Sequence, residues 1–401
     1  MYKLKNIVDI TGFKQKRVIS DLISKGIYSE NKDYSYSQKD LSGVYDIFNK
    51  LENSTWHHEI KPNKEYKIIE LFAGCGGLAI GMEKAGFKSE LLNEWDKHAC
   101  KTLRYNRPHW NVIEGDVSKI SFISYKDKVD VVSGGFPCQA FSHIGKRLGF
   151  EDTRGTLFFE FARAVKEVNP KIFIAENVTG LLTHDNGNTL KTITDVIKND
   201  LGYILIKPLV LNAMFFGVPQ KRERLFLIGV RKDIFENIVF EEPELYNRVV
   251  SVKDALLKGE LYNSDVPLSA GYIYNKRKKE IMDMVPQGGY WKNLPLEIQK
   301  EYMQKSFFSG GGKTGMAKRL DMELPSLTLT CSPSQKQTER CHPLETRPLQ
   351  IREYARIQTF PDDWNIQGAL SYQYKQIGNA VPVNLAYSMG RCLIKMLNQI
   401  K

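Results

Sequence analysis

The segment VDVVSGGFPCQAFS (129–142) sets a thiol, Cys138, directly behind Pro137 at the end of an apolar run. A cysteine in a polar cleft at a strand-to-loop transition becomes a nucleophile once its pKa is lowered. A second apolar run, KIFIAENV (171–178), ends in Glu176. Neighbouring parallel strands share one carboxyl edge, so this carboxyl group is expected beside the thiol. The pair fits attack on a pyrimidine ring. The thiolate adds to C6 while the acid grips the N3 edge, and C5 gains the electron density to accept an electrophile.

Three earlier strand ends carry a different pattern. ELFAGCGGL (70–78) offers Gly74, Gly76 and Gly77, which permit a tight turn and close approach of backbone to a ligand ahead of a helix. No G-K-[ST] follows, which argues against a P-loop. NEWD (93–96) presents Glu94, suited to both hydroxyls of an adenosine ribose. Trp95 beside it can stack on the base or serve as an ordinary core aromatic. EGDV (114–117) offers Asp116 to an exocyclic amine. A glycine loop and two acidic strand ends suggest S-adenosylmethionine as cofactor, and NAD fits the same residues.

These strand ends need a scaffold. KIIELF (67–72), SELLNEW (89–95), VDVVSGG (129–135), KIFIAENV and RLFLIGV (224–230) are short apolar runs, with helical patterns such as 78–85 and 158–168 between several of them. Continuous rather than alternating apolar runs suit strands buried on both faces, which predicts an α/β fold with a doubly wound, mostly parallel sheet. The rhythm breaks over 231–345, where charged pieces (YNKRKKE) and glycine clusters (SGGGKTG) mix, and helical character returns over 346–401. Ahead of the sheet, 1–51 reads as a small helical domain. Two short amphipathic helices flank Thr11-Gly12, as in a helix-turn-helix or a plain helical hairpin, and a third helix is expected over 38–51. Lys14, Lys16 and Arg17 would decorate the start of the second helix, where such motifs meet DNA. The polar stretch 52–66 reads as a linker.

Composition narrows the class. The 401 residues carry a net charge of +11, which suggests a polyanionic partner or a solvated basic surface. No run approaches the roughly 18 apolar residues of a membrane span, and no signal-peptide core opens the chain, so a cytoplasmic location and no membrane partner are expected. The six cysteines lack C-x-x-C spacing, which argues against a disulfide framework or a metal site, including one at Cys331, Cys341 and His342.

The ordered set ELFAGCGGL, NEWD, GDV, GGFPCQAFS, AENV, QKRERLFLIGV, REYARIQTFPDDW and QIGNAVP resembles the DNA (cytosine-5)-methyltransferases of bacterial restriction-modification systems, from Lys67 onward. The resemblance implies methyl transfer from S-adenosylmethionine to C5 of a cytosine flipped out of double-stranded DNA, through a covalent Cys138–C6 intermediate. It implies Glu176 as the acidic partner of Cys138, with Arg222 and Arg224 organising the catalytic pocket. Phe72, Gly74, Gly76, Gly77 and Leu78 would form the cofactor loop. Glu94, Trp95, Asp116 and Val117 would hold the adenosine end, and Pro137, Leu157, Asn379 and Val381 would line the remainder. Gln139, Ser142, Arg154 and Gln220 are implied at the DNA, and 231–345 as the target recognition domain. Some members carry serine where Ile144 stands, so no hydroxyl contact is expected there. The resemblance further implies protection of host DNA from a cognate endonuclease and a monomer on DNA. The N-terminal domain, which it does not cover, is a candidate for operator DNA. The rivals are a tRNA methyltransferase on the same fold and a DNA-binding regulator with an inactive body.

Overall fold

The computed structural model describes residues 1–31, 33–136 and 157–400. Four helices open the chain: α1 (Leu4–Thr11), α2 (Gln15–Ser24), α3 (Gln38–Ser42) and α4 (Asp46–Glu52). The expected single helix over 38–51 is two, because the chain turns at Gly43 and Tyr45 is extended. Ser37 and Asp40 exchange bonds in a capping box that starts α3. Ile7, Val18, Leu22, Leu41, Phe48 and Leu51 form the core of this unit.

The catalytic body follows. Its strands are β1 (Tyr66–Leu71), β2 (Phe87–Glu94), β3 (Val112–Glu114), β4 (Val131–Gly134), β5 (Ile172–Asn177), β6 (Tyr203–Leu205), β7 (Leu209–Asn212), a short β8 (Gln220–Lys221) and the long β9 (Glu223–Arg231). The connecting helices are α5 (Gly77–Ala85), α6 (Lys97–Asn106), α7 (Leu157–Val168) and α8 (Asn188–Asp195). The eight-stranded main sheet has the order β3-β2-β1-β4-β5-β9-β6, with β7 also on β9. The first five strands pair in parallel, whereas β9 runs antiparallel to β5, β6 and β7. RLFLIGV thus supplies the antiparallel part of the expected mostly parallel sheet. A strand buried on both faces carries the same apolar run in either direction, so periodicity leaves its polarity open.

Alternate residues of each strand feed two cores. Ile68, Ile172, Ile174, Phe226 and Ile228 pack with α5 and with the last helix, over Val383–Asn398, whereas Ile69, Phe173, Ala175, Leu225 and Leu227 pack with α7 and α8. After β9 come α9 (Val252–Leu256), α10 (Lys276–Asp283), α11 (Leu296–Met303) and β10 (Ser326–Leu327), then α12 (Ile351–Ile357), α13 (Leu370–Asn379) and α14 (Val383–Asn398). The irregular region has a separate core only from Tyr274 to Cys341. Tyr246 and Val250 join the α14 core, and Val252, Ala255 and Leu256 join the cluster around Trp364.

The stretch 52–66 is no free linker. Trp56 is buried edge-on against Tyr246 and Tyr387, and Asn398 bonds Asn63 and Tyr66. Among the described residues no helix is long and apolar enough to cross a membrane, and no His, Cys, Asp and Glu cluster is suited to a metal ion.

Candidate active site

The expected ligands converge at the carboxyl ends of β1, β2, β3 and β5. After β1 the chain enters left-handed backbone at Phe72 (φ 58°), Gly74 (φ 55°) and Gly76 (φ 91°) before α5 opens. A side chain at Gly77 would overlap the Val381 carbonyl, so the glycine loop and GNAVP lie in direct contact despite their separation in sequence. Trp364 seals the back of the loop, donating its indole N–H to the Cys75 carbonyl at 3.1 Å. Leu78 and Val117 are buried beneath, and Leu157 is half-buried at the start of α7.

Glu94 ends β2 and accepts the Gly74 N–H at 2.7 Å and the Asp96 N–H at 2.8 Å, one on each carboxylate oxygen. Each oxygen retains a lone pair, so two ribose hydroxyls can still be accommodated. Trp95 is 71% exposed, which removes its alternative reading as a core aromatic. The Gly115 N–H donates to the Glu94 carbonyl at 2.9 Å and brings Asp116 alongside. The Asp116 carboxylate accepts the Ser118 N–H, which holds its pKa below the usual carboxylate range.

The acid centre is built across β5 and β9. Arg224 Nε donates to Glu176 Oε1 at 2.7 Å, with side chains 12% and 14% exposed. Burial pushes the Glu176 carboxyl up, and Arg224 and then Arg222 oppose that rise. Antiparallel pairing makes the contact possible, since the ladder sets Glu176 opposite Phe226 and Asn177 opposite Leu225. Glu176 Oε2 also lies against Gly135, where an added Cβ would stand only 2.9 Å away. Asn177 donates to the Phe136 carbonyl at 2.8 Å and so fixes the chain two residues ahead of Cys138. Cys138 itself, with Pro137, Gln139, Ser142, Ile144 and Arg154, lies outside the described residues.

Two motif residues are held inside the protein. Gln220 is fully buried, donates to Gln358 at 2.9 Å and accepts the Leu329 N–H at 2.8 Å. A buried amide needs partners for both its donor and its acceptor, and it has found them inside. Arg222 is 2% exposed and donates to the carbonyls of Leu329 and Gly378 at 3.0 and 2.9 Å. It acts as a staple between the segment SLTLT (326–330) and GNAVP. Burial pushes its pKa down to about 9, which still leaves it charged near neutral pH.

Sequence reasoning missed Glu70 and Cys331. Glu70 is buried inside β1, and burial together with nearby Glu94 pushes its carboxyl well up. The signal was an acid within an apolar run. Cys331 is exposed and donates to Asn379 Oδ1 at 3.2 Å, joining SLTLT to the cofactor side. Burial pushes up the thiols of Cys75, Cys100, Cys341 and Cys392, which makes them poor nucleophiles.

A glycine loop walled by GNAVP, a carboxylate with accepting capacity to spare at the end of β2 and a carboxyl–guanidinium pair across β5 and β9 fit a methyltransferase of the cytosine-5 type. Residues 66–395 match the family of C-5 cytosine-specific DNA methylases, and the chain belongs to that family. It is 58% identical to the Type II methyltransferase M.Eco47II of Escherichia coli over 403 residues, covering 100% of this chain and 96% of that one. It is also 58% identical to M.PspPI of Psychrobacter sp. (strain TA137), with 90% of this chain and 87% of the other covered. A mutant of Spodoptera frugiperda DNMT2 shares the fold, with a TM-score of 0.58 at 15% identity over 82% of this chain and 99% of that one. The protein is a DNA cytosine-5 methyltransferase that uses S-adenosylmethionine. The accepting capacity left on Glu94, the exposed Trp95 and the half-buried Asp116 suit the adenosine half of that cofactor.

Proposed function

We propose that the enzyme methylates one cytosine within a short double-stranded DNA sequence and so protects its host's DNA from a cognate restriction endonuclease. The observation that carries the reading is the Glu176–Arg224 pair at the end of β5, against Gly135 and beside the bond from Asn177 to Phe136. C6 is unreachable within a duplex, so the target cytosine is flipped out, at a cost of about a few kcal/mol. Cys138 then adds through its thiolate to C6. Glu176, whose burial favours its protonated form, donates to N3 and balances the charge that develops on the ring. Arg224 orients that carboxyl group. The cofactor supplies an electrophilic methyl group, held by the glycine loop, Glu94, Trp95 and Asp116. Loss of the C5 proton and expulsion of the thiol restore the aromatic ring.

Gln139, Ser142 and Arg154 are proposed at the DNA, and target reading is assigned to the region with its own core, from Tyr274 to Cys341. The enzyme is proposed to work in the cytoplasm as a monomer on DNA. Operator binding by the N-terminal unit is a second role, favoured by the exposure of Lys14, Gln15, Lys16 and Arg17 at the start of α2.

Cys138→Ser tests the chemistry. It should abolish methyl transfer with cofactor affinity retained, and DNA carrying 5-fluorocytosine at the target should form a denaturation-resistant adduct with the parent only. A serine variant that methylates at near the parent rate would overturn covalent catalysis.

A further inference from the structure

The helix that follows Glu94 also stands behind the glycine loop. Asp96 caps α6, accepting the His98 and Ala99 N–H groups at 2.8 and 3.4 Å, while its own N–H goes to Glu94 Oε1. One turn on, the Cys100 thiol donates to the Glu94 carbonyl at 3.4 Å. A Cβ at Gly76 would stand 2.9 Å from Leu103, so α6 lies against the loop backbone as well. The placing of both Glu94 and the loop therefore depends on α6.

The opposite wall is carried by α13, which ends at Asn379. Gln376, one turn earlier, accepts the Cys75 thiol on its carbonyl at 3.4 Å. Its amide nitrogen donates to the Gln367 carbonyl at 2.8 Å, and its amide oxygen lies 2.7 Å from the Thr102 hydroxyl on α6. That hydroxyl accepts the Gln367 N–H at 2.9 Å and stands 3.1 Å from the His98 carbonyl. It has one proton, and an acceptor as close as Gln376 Oε1 must receive it. A closed ring of hydrogen bonds thus runs through Thr102, Gln376 and Gln367, and Thr102 is fully buried. Nearer solvent, Lys375 pairs with Asp96 at 3.4 Å and the His98 ring lies on Tyr372. The lysine is half exposed, and screening leaves that ion pair little weight. The turn at Asn365 is separately fixed to α6 by its bonds with Asn106. Thr102 passes that fixation on to α13.

We propose that Thr102, which lies in none of the motifs that carry the family resemblance, is a positioning residue for S-adenosylmethionine. Through Gln376 it holds the wall formed by Asn379 and Val381 at its distance from Glu94 and the glycine loop. The proposal rests on those groups being the seat of the cofactor. Without the hydroxyl the two walls keep a freedom that binding must remove. That weakens affinity for the cofactor and leaves transfer from bound cofactor alone.

The test compares Thr102→Val, which keeps the shape and removes the hydroxyl, with Thr102→Ser, which keeps the hydroxyl. In the full-length enzyme Thr102→Val should raise the Kd for S-adenosylmethionine in calorimetry, and its KM, by about tenfold. Single-turnover transfer at saturating cofactor and the KM for DNA should match the parent. Thr102→Ser should retain the parent Kd, which a role in filling space alone would not require. An unchanged Kd in Thr102→Val overturns the proposal. So does an equal loss in Thr102→Ser, or a fall in cofactor affinity, DNA affinity and transfer rate together in step with melting temperature. If Thr102→Val fails to fold, Thr102→Cys, a weaker donor of similar size, decides by the same readings. Glu94→Ala, titrated alongside, keeps the two readings apart. An unchanged Kd there overturns the seat and the proposal with it. Weakened binding there beside an unchanged Kd in Thr102→Val overturns the positioning role alone.

Discussion

Replacing Arg224 by methionine removes the guanidinium that bonds Glu176 and keeps most of the side chain's length. A hydrogen bond to a charged group is worth about 1.5–3 kcal/mol net, and both partners here are largely buried. Burial already raises the Glu176 pKa and Arg224 is the largest opposing influence, so the carboxyl moves further up in the variant. The sign follows from linkage. A folded-state pKa above the unfolded value near 4.5 gives stability that is full below 4.5 and is lost as pH rises through the folded pKa. The variant extends that window upward. Its stability deficit against the parent should be small near pH 5 and grow to about 1.5–3 kcal/mol by pH 8. Thermal melts across that range measure it, with Glu176→Gln/Arg224→Met as the control in which the growth with pH disappears. Single-turnover transfer should fall by about two orders of magnitude, because the lost bond also aims the carboxyl. A deficit independent of pH, or one equally pH-dependent in the Glu176→Gln background, would refute the coupling.

Glu94→Ala should weaken S-adenosylmethionine binding by about 10–100-fold in calorimetry, since it removes the ribose acceptor and also frees the Gly74 and Asp96 amides; an unchanged affinity would move the ribose contact elsewhere. Exchanging 274–341 for the matching segment of a relative with another target should carry the methylated sequence along, as read by bisulfite sequencing. An active chimera that keeps its original target would refute that assignment. Lys14→Ala/Lys16→Ala should lower affinity for DNA upstream of its own coding sequence and spare methylation of the target. Unaltered upstream binding would remove the operator role.

Much of the sheet was legible because strands buried on both faces leave uninterrupted apolar runs, and KIIELF and KIFIAENV became β1 and β5. Residues tied to backbone geometry were equally plain: Gly74 and Gly76 occupy left-handed positions that few other residues tolerate. What stayed hidden depends on distant partners. Gln220 read as DNA-facing and Arg222 as part of the catalytic pocket, and only the return of residues 326–330 and GNAVP over them buries both. Trp56 sits in a polar stretch that looks unstructured until Tyr246 and Tyr387 close on it. The reversal of β9 was hidden because an apolar run buried on both faces reads alike in either direction, yet it brings Arg224 to Glu176.

The contact between Gly77 and Val381 has a consequence for the birth of the enzyme. The wall of the cofactor loop is made on the order of 300 residues after the loop itself. At ordinary synthesis rates that is a delay of roughly 15–60 s. During that interval β1 and α5 exist without α14, whose Ala386 and Gly390 later fit against Gly81 and Ala85. A nascent chain still on the ribosome thus carries its glycine loop without the GNAVP wall until the tail has folded back.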